Sequence, residues 1–204
     1  MYGAPIFLGV ILVVGGYFSP VAAAVGSVSL AYGVFTLCFF RDPDRIVPDG
    51  DDVIVSPADG KIVLIDEPED SPFFDGPCKR VAIFLSLFNV HVNRSPFAGT
   101  VVDLSHQPGG YLNAANPDAG ERNEAMTVRL ETERGAMTVR QISGLVARRI
   151  VCPLTTGDEL ATGERFGMIK FGSRTELYLP KEAEICVKMG EKVNGGSSII
   201  ARFP

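Results

Sequence analysis

"RVAIFLSLFNVHVNRSPFAGTVVDL", residues 80–104, holds short runs rich in Val, Ile and Leu, broken at Asn, Ser, Pro and Gly. Runs of this length, β-branched and closed by turn residues, read as strands rather than as helix. The same texture extends outward through VIVS (53–56), KIVLID (61–66), AMTVRLE (125–131) and AMTVRQIS (136–143). It continues in ELYLP (176–180), EICVKMG (184–190) and SSIIARF (197–203), and no window of comparable length carries a 3.6-residue period. Residues 41–204 are therefore expected to form a mostly β domain, a sandwich or barrel. GLVARRIVCPL (144–154) suits either a short helix or a strand. HQPGGYLNAANPDAGERN (106–123) reads as a long loop, of the kind compact domains usually reserve for function.

Upstream the chain changes character. Residues 1–40 contain no Asp, Glu, Lys or Arg, and they split at Ser19-Pro20 into YGAPIFLGVILVVGGYF and VAAAVGSVSLAYGVFTLCFF. A helix needs about 20 apolar residues to cross a bilayer, with a lower limit near 17. The second segment meets that length and the first is borderline. The junction suits a tight turn between two helices, because Pro is accepted in the first turn of a helix. The expectation is a membrane-anchoring helical hairpin over 1–40. A cleaved signal peptide would carry Lys or Arg before its apolar stretch, and none is present. A buried core hairpin is the other reading, but forty uncharged residues are hard to bury in a domain this small. FFRDPDR (39–45) brings Arg41 and Arg45 directly after the apolar stretch, which favours the cytoplasmic side for the domain.

The formal net charge is −5 over 204 residues, without a basic stripe, which argues against nucleic acid as the main partner. Cys38, Cys78, Cys152 and Cys186 are far apart and form no CxxC pair. Their spacing indicates neither a disulfide framework nor a metal site, and reduced, mostly buried thiols are expected.

Few residues can do acid–base or nucleophilic chemistry. The chain has two histidines, His91 among apolar residues and His106 at the head of the long loop. Asp59 stands in VSPADGKIV, where Asp-Gly can be no more than a hairpin turn. Ser173 follows Gly172 inside the strand-like run GMIKFGSRTELYLP (167–180). A hydroxyl nucleophile needs a base, and the base an orienting carboxylate, so Ser173, His91 and Asp59 make a complete set if the fold unites them. Arg148, Arg149 and Arg174 can hold a phosphate through forked hydrogen bonds, or can simply line a solvated strand face.

Taken in order, FFRDPDR, SPADGKIV, SLFNVHVNRSP, GERN, GLVARRIVCPL and GERFGMIKFGSRTELYLP resemble the phosphatidylserine decarboxylases. The likeness is closest to the short bacterial and archaeal branch, which includes archaetidylserine decarboxylases, and covers nearly the whole chain. It implies a proenzyme that cleaves itself between Gly172 and Ser173 into chains 1–172 and 173–204. Ser173 would become a covalent pyruvoyl group that forms a Schiff base with the amine of a serine phospholipid and allows its decarboxylation. The two product chains would stay associated, the substrate would be a membrane phospholipid, and the enzyme would work at the cytoplasmic membrane face without a metal. A homo-oligomer is compatible with all of this. His91 would be the acid–base residue with Asp59 behind it, and Asn93, Arg94, Arg148 and Arg149 would contact the headgroup. The longer branch carries a second His where this chain has Arg94, which leaves the self-cleavage base open.

A different class of protein shares some of these features. EICVKMGEKVNGGSSIIARF (184–203) resembles the second half of a lipoyl- or biotinyl-carrier domain, so a membrane-anchored adaptor without catalysis is the alternative. Such a domain needs a modifiable Lys at a hairpin tip upstream, and this chain has FGSRTE there.

Overall fold

The computed structural model describes the chain except residues 1–2, 16–18, 117, 146–148 and 170–171. It divides into two compact units, Met1–Asp42 and Pro43–Pro204.

The first unit is a pair of packed helices, α1 (Gly3–Gly15) and α2 (Pro20–Phe39). Ser19 caps α2, its hydroxyl accepting from the Ala22 N–H, and Pro20 fills the first turn. Both choices follow from the unpaired N–H groups at a helix start. The helices meet through small residues. A methyl group at Gly9 would come within 2.7 Å of the Leu30 nitrogen, and one at Gly26 within 2.6 Å of the Val13 nitrogen. The Ser29 hydroxyl crosses to the Pro5 carbonyl at 2.9 Å. Close backbone approach with small residues between helices is how helices pack in lipid. Large apolar side chains point outward instead, Phe7, Val14, Val21 and Val28 each about 70% exposed or more. α2 has 20 residues and the length to span a bilayer, whereas α1 has 13 and falls short.

The second unit is built from strands. In chain order they are β1 (Val53–Val55), β2 (Gly60–Asp66), β3 (Cys78–Leu85), β4 (Val92–Arg94), β5 (Gly99–Gln107), β6 (Ala125–Thr132) and β7 (Gly135–Ile142). There follow β8 (Ile150–Val151), β9 (Glu159–Leu160), β10 (Arg165–Ile169), β11 (Ser173–Pro180), β12 (Glu184–Ile185), β13 (Lys192–Val193) and β14 (Ile199–Arg202). One helical turn, α3 (Ala119–Arg122), interrupts the long loop. An eight-stranded antiparallel sheet runs β13-β2-β3-β11-β7-β6-β5-β9, and two three-stranded sheets run β1-β14-β12 and β4-β10-β8. The mostly β expectation holds, and the ambiguous 144–154 segment supplies the short strand β8.

β11 lies between β3 and β7 and alternates as a central strand should. Leu177 and Leu179 face a core shared with Val81, Ile83, Val139 and Ile200, each side chain contributing about 1.5–3 kcal/mol on burial. Arg174, Glu176 and Tyr178 face the other way and are nonetheless buried, because the loops around 68–74 and 108–123 cover that face.

Two readings of the sequence are corrected. Asp59-Gly60 is not a hairpin turn, because β1 and β2 belong to different sheets and the turn crosses between them. Of the four free cysteines only Cys78 is buried, while Cys38 and Cys186 are exposed.

Candidate active site

Ser173 is the first residue of β11 and pairs with Leu85 of β3. It is fully buried, and its hydroxyl has no hydrogen-bond partner among the described residues. A buried hydroxyl without a partner costs about 1–3 kcal/mol, so it calls for a reason. The residue before it, Gly172, has φ +61°, the left-handed region that a side chain disfavours. A methyl group at Gly172 would meet nothing within 4 Å, so the glycine is there for conformation rather than for space.

The Gly172 carbonyl oxygen lies directly against Gly144, where a methyl group would overlap it and come within 3.2 Å of the Ala114 Cβ. Gly144 is held there by its neighbour. The Asn123 amide donates to the Ser143 carbonyl at 2.8 Å and to the Leu112 carbonyl at 2.9 Å, and its oxygen accepts from the Leu112 N–H. The last residue of GERN thus fixes the backbone that meets the Gly172 carbonyl.

The segment of His91 flanks the Gly172–Ser173 bond on both sides. Upstream of the bond, the Ile169 N–H donates to the His91 carbonyl at 3.2 Å, and β10 pairs with β4. Downstream of it, the Asn93 amide donates to the Thr175 hydroxyl at 3.0 Å and accepts from the Gln141 amide at 2.9 Å. His91, Asn93, Gln141, Ser173 and Thr175 are all fully buried. Buried polar groups at one end of a hydrophobic core are expensive unless they serve one another or a ligand.

The remaining candidates are distributed differently. Both Asp59 oxygens are engaged, one by Arg45 at 2.7 Å and the other by the Gly195 N–H at 2.8 Å. Arg94, 6% exposed, donates to the Gly163 carbonyl at 3.1 Å and the Pro43 carbonyl at 3.2 Å. Arg149 is exposed, and Arg148 lies outside the described residues. His106 sits near the end of β5, its ring bonded to Glu124 at 3.0 Å, on the surface. Gly144, Asn123, Gln141 and Thr175 were not singled out by sequence reasoning. Only GERN and GLVARRIVCPL, as motifs, pointed to the segments that carry the first two.

Comparison with known proteins bears on this arrangement. The family profile described as "Phosphatidylserine decarboxylase" matches residues 32–201. A "Phosphatidylserine decarboxylase proenzyme" of Syntrophus aciditrophicus (strain SB) is 49% identical over 172 residues, covering 83% of this chain and 80% of that protein. Proteins of the same name are similar at 43% from Magnetococcus marinus, over 89% of this chain and 88% of the relative. One from Chlorobium phaeobacteroides reaches 46%, over 86% of this chain and 82% of the relative. The matched region takes in both strands that flank the Gly172–Ser173 bond, the His91 segment and GERN, so the buried serine and its surroundings lie within what is shared. The chain belongs to the phosphatidylserine decarboxylase family.

Proposed function

We propose that this protein decarboxylates a serine phospholipid to the corresponding ethanolamine lipid, after cleaving itself between Gly172 and Ser173. The observation that carries the reading is the buried Ser173 hydroxyl, without a hydrogen-bond partner among the described residues, beside a left-handed Gly172. In the first step the Ser173 Oγ adds to the Gly172 carbonyl carbon and the peptide nitrogen leaves, giving an ester. Loss of the Ser173 Cα proton then expels the Gly172 carboxylate and leaves a dehydroalanine. Its tautomer takes up water and releases ammonia. The residues present suit the resulting pyruvoyl group, because position 173 starts a strand held on both sides.

The pyruvoyl group supplies an electron sink for the bond that loses carbon dioxide. The chain's own residues bind, orient and move protons. His91 is the proposed proton carrier, as base in the cleavage and as acid returning a proton to the substrate carbon. Asn93, fixed by Thr175 and Gln141, is the proposed orienting group for the headgroup. Asp59 and Arg94 are proposed to fix the 57–60 turn against β4, the strand that follows His91, since Asp59 is bonded to Arg45 and the Gly195 N–H and Arg94 to backbone carbonyls. Arg149, which is exposed, is proposed as an outer headgroup contact, and Arg148 as a further headgroup contact on the resemblance alone. The two chains would stay together without a covalent link. Residues 173–204 pair through β11 with β3 and β7, through β13 with β2 and through β14 with β1.

Three results are expected. Purified protein incubated with phosphatidylserine in mixed micelles releases carbon dioxide and phosphatidylethanolamine, and hydroxylamine pretreatment abolishes this. Gly144→Ala forces the Gly172 carbonyl away and slows chain cleavage about a hundredfold, a cost typical of sub-ångström to ångström misplacement. Cleavage of that variant at the native rate, followed by gel electrophoresis, would remove Gly144 from the site. Deleting residues 1–40 moves the protein from the membrane pellet to the supernatant, on the proposal that the helices hold the domain at the cytoplasmic membrane face where the headgroup is. Retention in the pellet at high salt would contradict the anchor. The adaptor reading predicts neither chain cleavage nor carbon dioxide release.

A further inference from the structure

The outward face of β11 holds a second polar cluster, separate from the Ser173 side. Glu176 accepts from the Tyr178 hydroxyl at 2.7 Å and from Arg140 at 3.4 Å, and its other oxygen lies 2.7 Å from Arg174. None of these four residues is more than 3% exposed. Burial and the Glu176 charge push the Tyr178 hydroxyl well above the usual tyrosine range, so it stays protonated. One carboxylate therefore faces two guanidinium groups, and the cluster of four carries one positive charge in excess while almost wholly buried.

The two arginines are not equally satisfied. Arg140 also donates to Thr127, Gln107 and the Gly120 carbonyl, and stacks on Phe73 with its guanidinium carbon 3.4 Å from the ring centre. Arg174 Nε has no hydrogen-bond partner among the described residues. Both arginines and Tyr178 line a cavity of about 480 Å³, which is within the size range of small-ligand sites. Arg80, also at the wall, is occupied by Asp66. The acidic residues at the wall, Asp70 and Glu121, are exposed and stand toward solvent.

We propose that this cavity binds a small phosphate-type anion, with Arg174 as the principal donor and Arg140 as the fixed second charge. A buried excess guanidinium with a spare N–H is costly alone and is compensated by an anion that accepts from it. The exposed Asp70 and Glu121 suit a ligand that carries an ammonium group outboard of its phosphate, and they disfavour a polyanion. The phosphate can come from free phosphate or from the headgroup of an aminophospholipid. The inference does not depend on the self-cleavage reading, since the cluster involves neither Ser173 nor His91.

The test uses the full-length protein in detergent, with melting followed against sodium phosphate and against sodium chloride at equal ionic strength. Phosphate is expected to raise the melting temperature saturably beyond chloride, and Arg174→Gln to weaken the apparent affinity at least about tenfold, the usual scale of one charge-assisted hydrogen bond. Glu176→Gln should do the opposite and make stability more dependent on phosphate, a change of sign that a mere folding defect would not produce. Equal phosphate effects in the native protein and Arg174→Gln, or none beyond chloride in the native protein, would overturn the proposal. Phosphorus-31 line broadening of bound inorganic phosphate then identifies the source. Its displacement by short-chain phosphatidylserine below the micelle concentration supports a headgroup site, and saturable binding without displacement supports a free-phosphate site.

Discussion

Ser173→Ala is expected to yield one intact chain of 21.9 kDa with no decarboxylase activity and an unchanged or slightly raised melting temperature. The loss of cleavage follows from removing the only atom proposed to attack the Gly172 carbonyl. The stability result follows from burial. The Ser173 hydroxyl has no partner among the described residues, so alanine removes an unsatisfied group and leaves β11 paired with β3 and β7. The gain is on the order of 1 kcal/mol. A folded, uncut, inactive protein separates chemistry from folding, and normal two-chain processing of the variant would end the account.

His91→Ala is expected to reduce chain cleavage, decarboxylation or both by about 10²- to 10⁴-fold, the range of a lost proton carrier. His91 is fully buried and its segment is bonded to residues on both sides of the Gly172–Ser173 bond. The two reactions are read separately, cleavage by gel and decarboxylation by carbon dioxide release from the fraction that has been cut. A variant that cuts normally but does not decarboxylate assigns His91 to the second step alone, and the cleavage base then lies elsewhere. Full activity in both steps would remove His91 from the site. Asn93→Ala, which breaks the same polar layer at Thr175 and Gln141, measures how much of any loss is disruption of packing.

The strands of the domain were legible because β-branched runs bounded by Gly, Pro and Asn leave little alternative, and β2, β3, β6 and β7 fall where those runs stand. The helix junction was legible for the same kind of local reason, Ser19 and Pro20 being a cap and a first-turn residue. What could not be read depends on contacts between distant segments. Arg174 reads as a solvated strand position, and would be one if the loops around 68–74 and 108–123 did not cover that face. Gly144 reads as one glycine among 22, and its meaning comes only from the carbonyl it meets. Asp59-Gly60 has the local chemistry of a hairpin, yet the chain changes sheets there, which no local signal encodes. The cysteines were misjudged for the opposite reason. Their usual preference for burial is a tendency of the residue type, whereas Cys38 on α2 and Cys186 just after β12 are exposed.

The most direct test of the central claim is the intact mass of the purified native protein, with and without borohydride. Self-processing predicts two chains, 1–172 and 173–204, the shorter one blocked at its N-terminus and gaining the mass of reduction at that end. A single chain of 21.9 kDa, unchanged by borohydride, would contradict it.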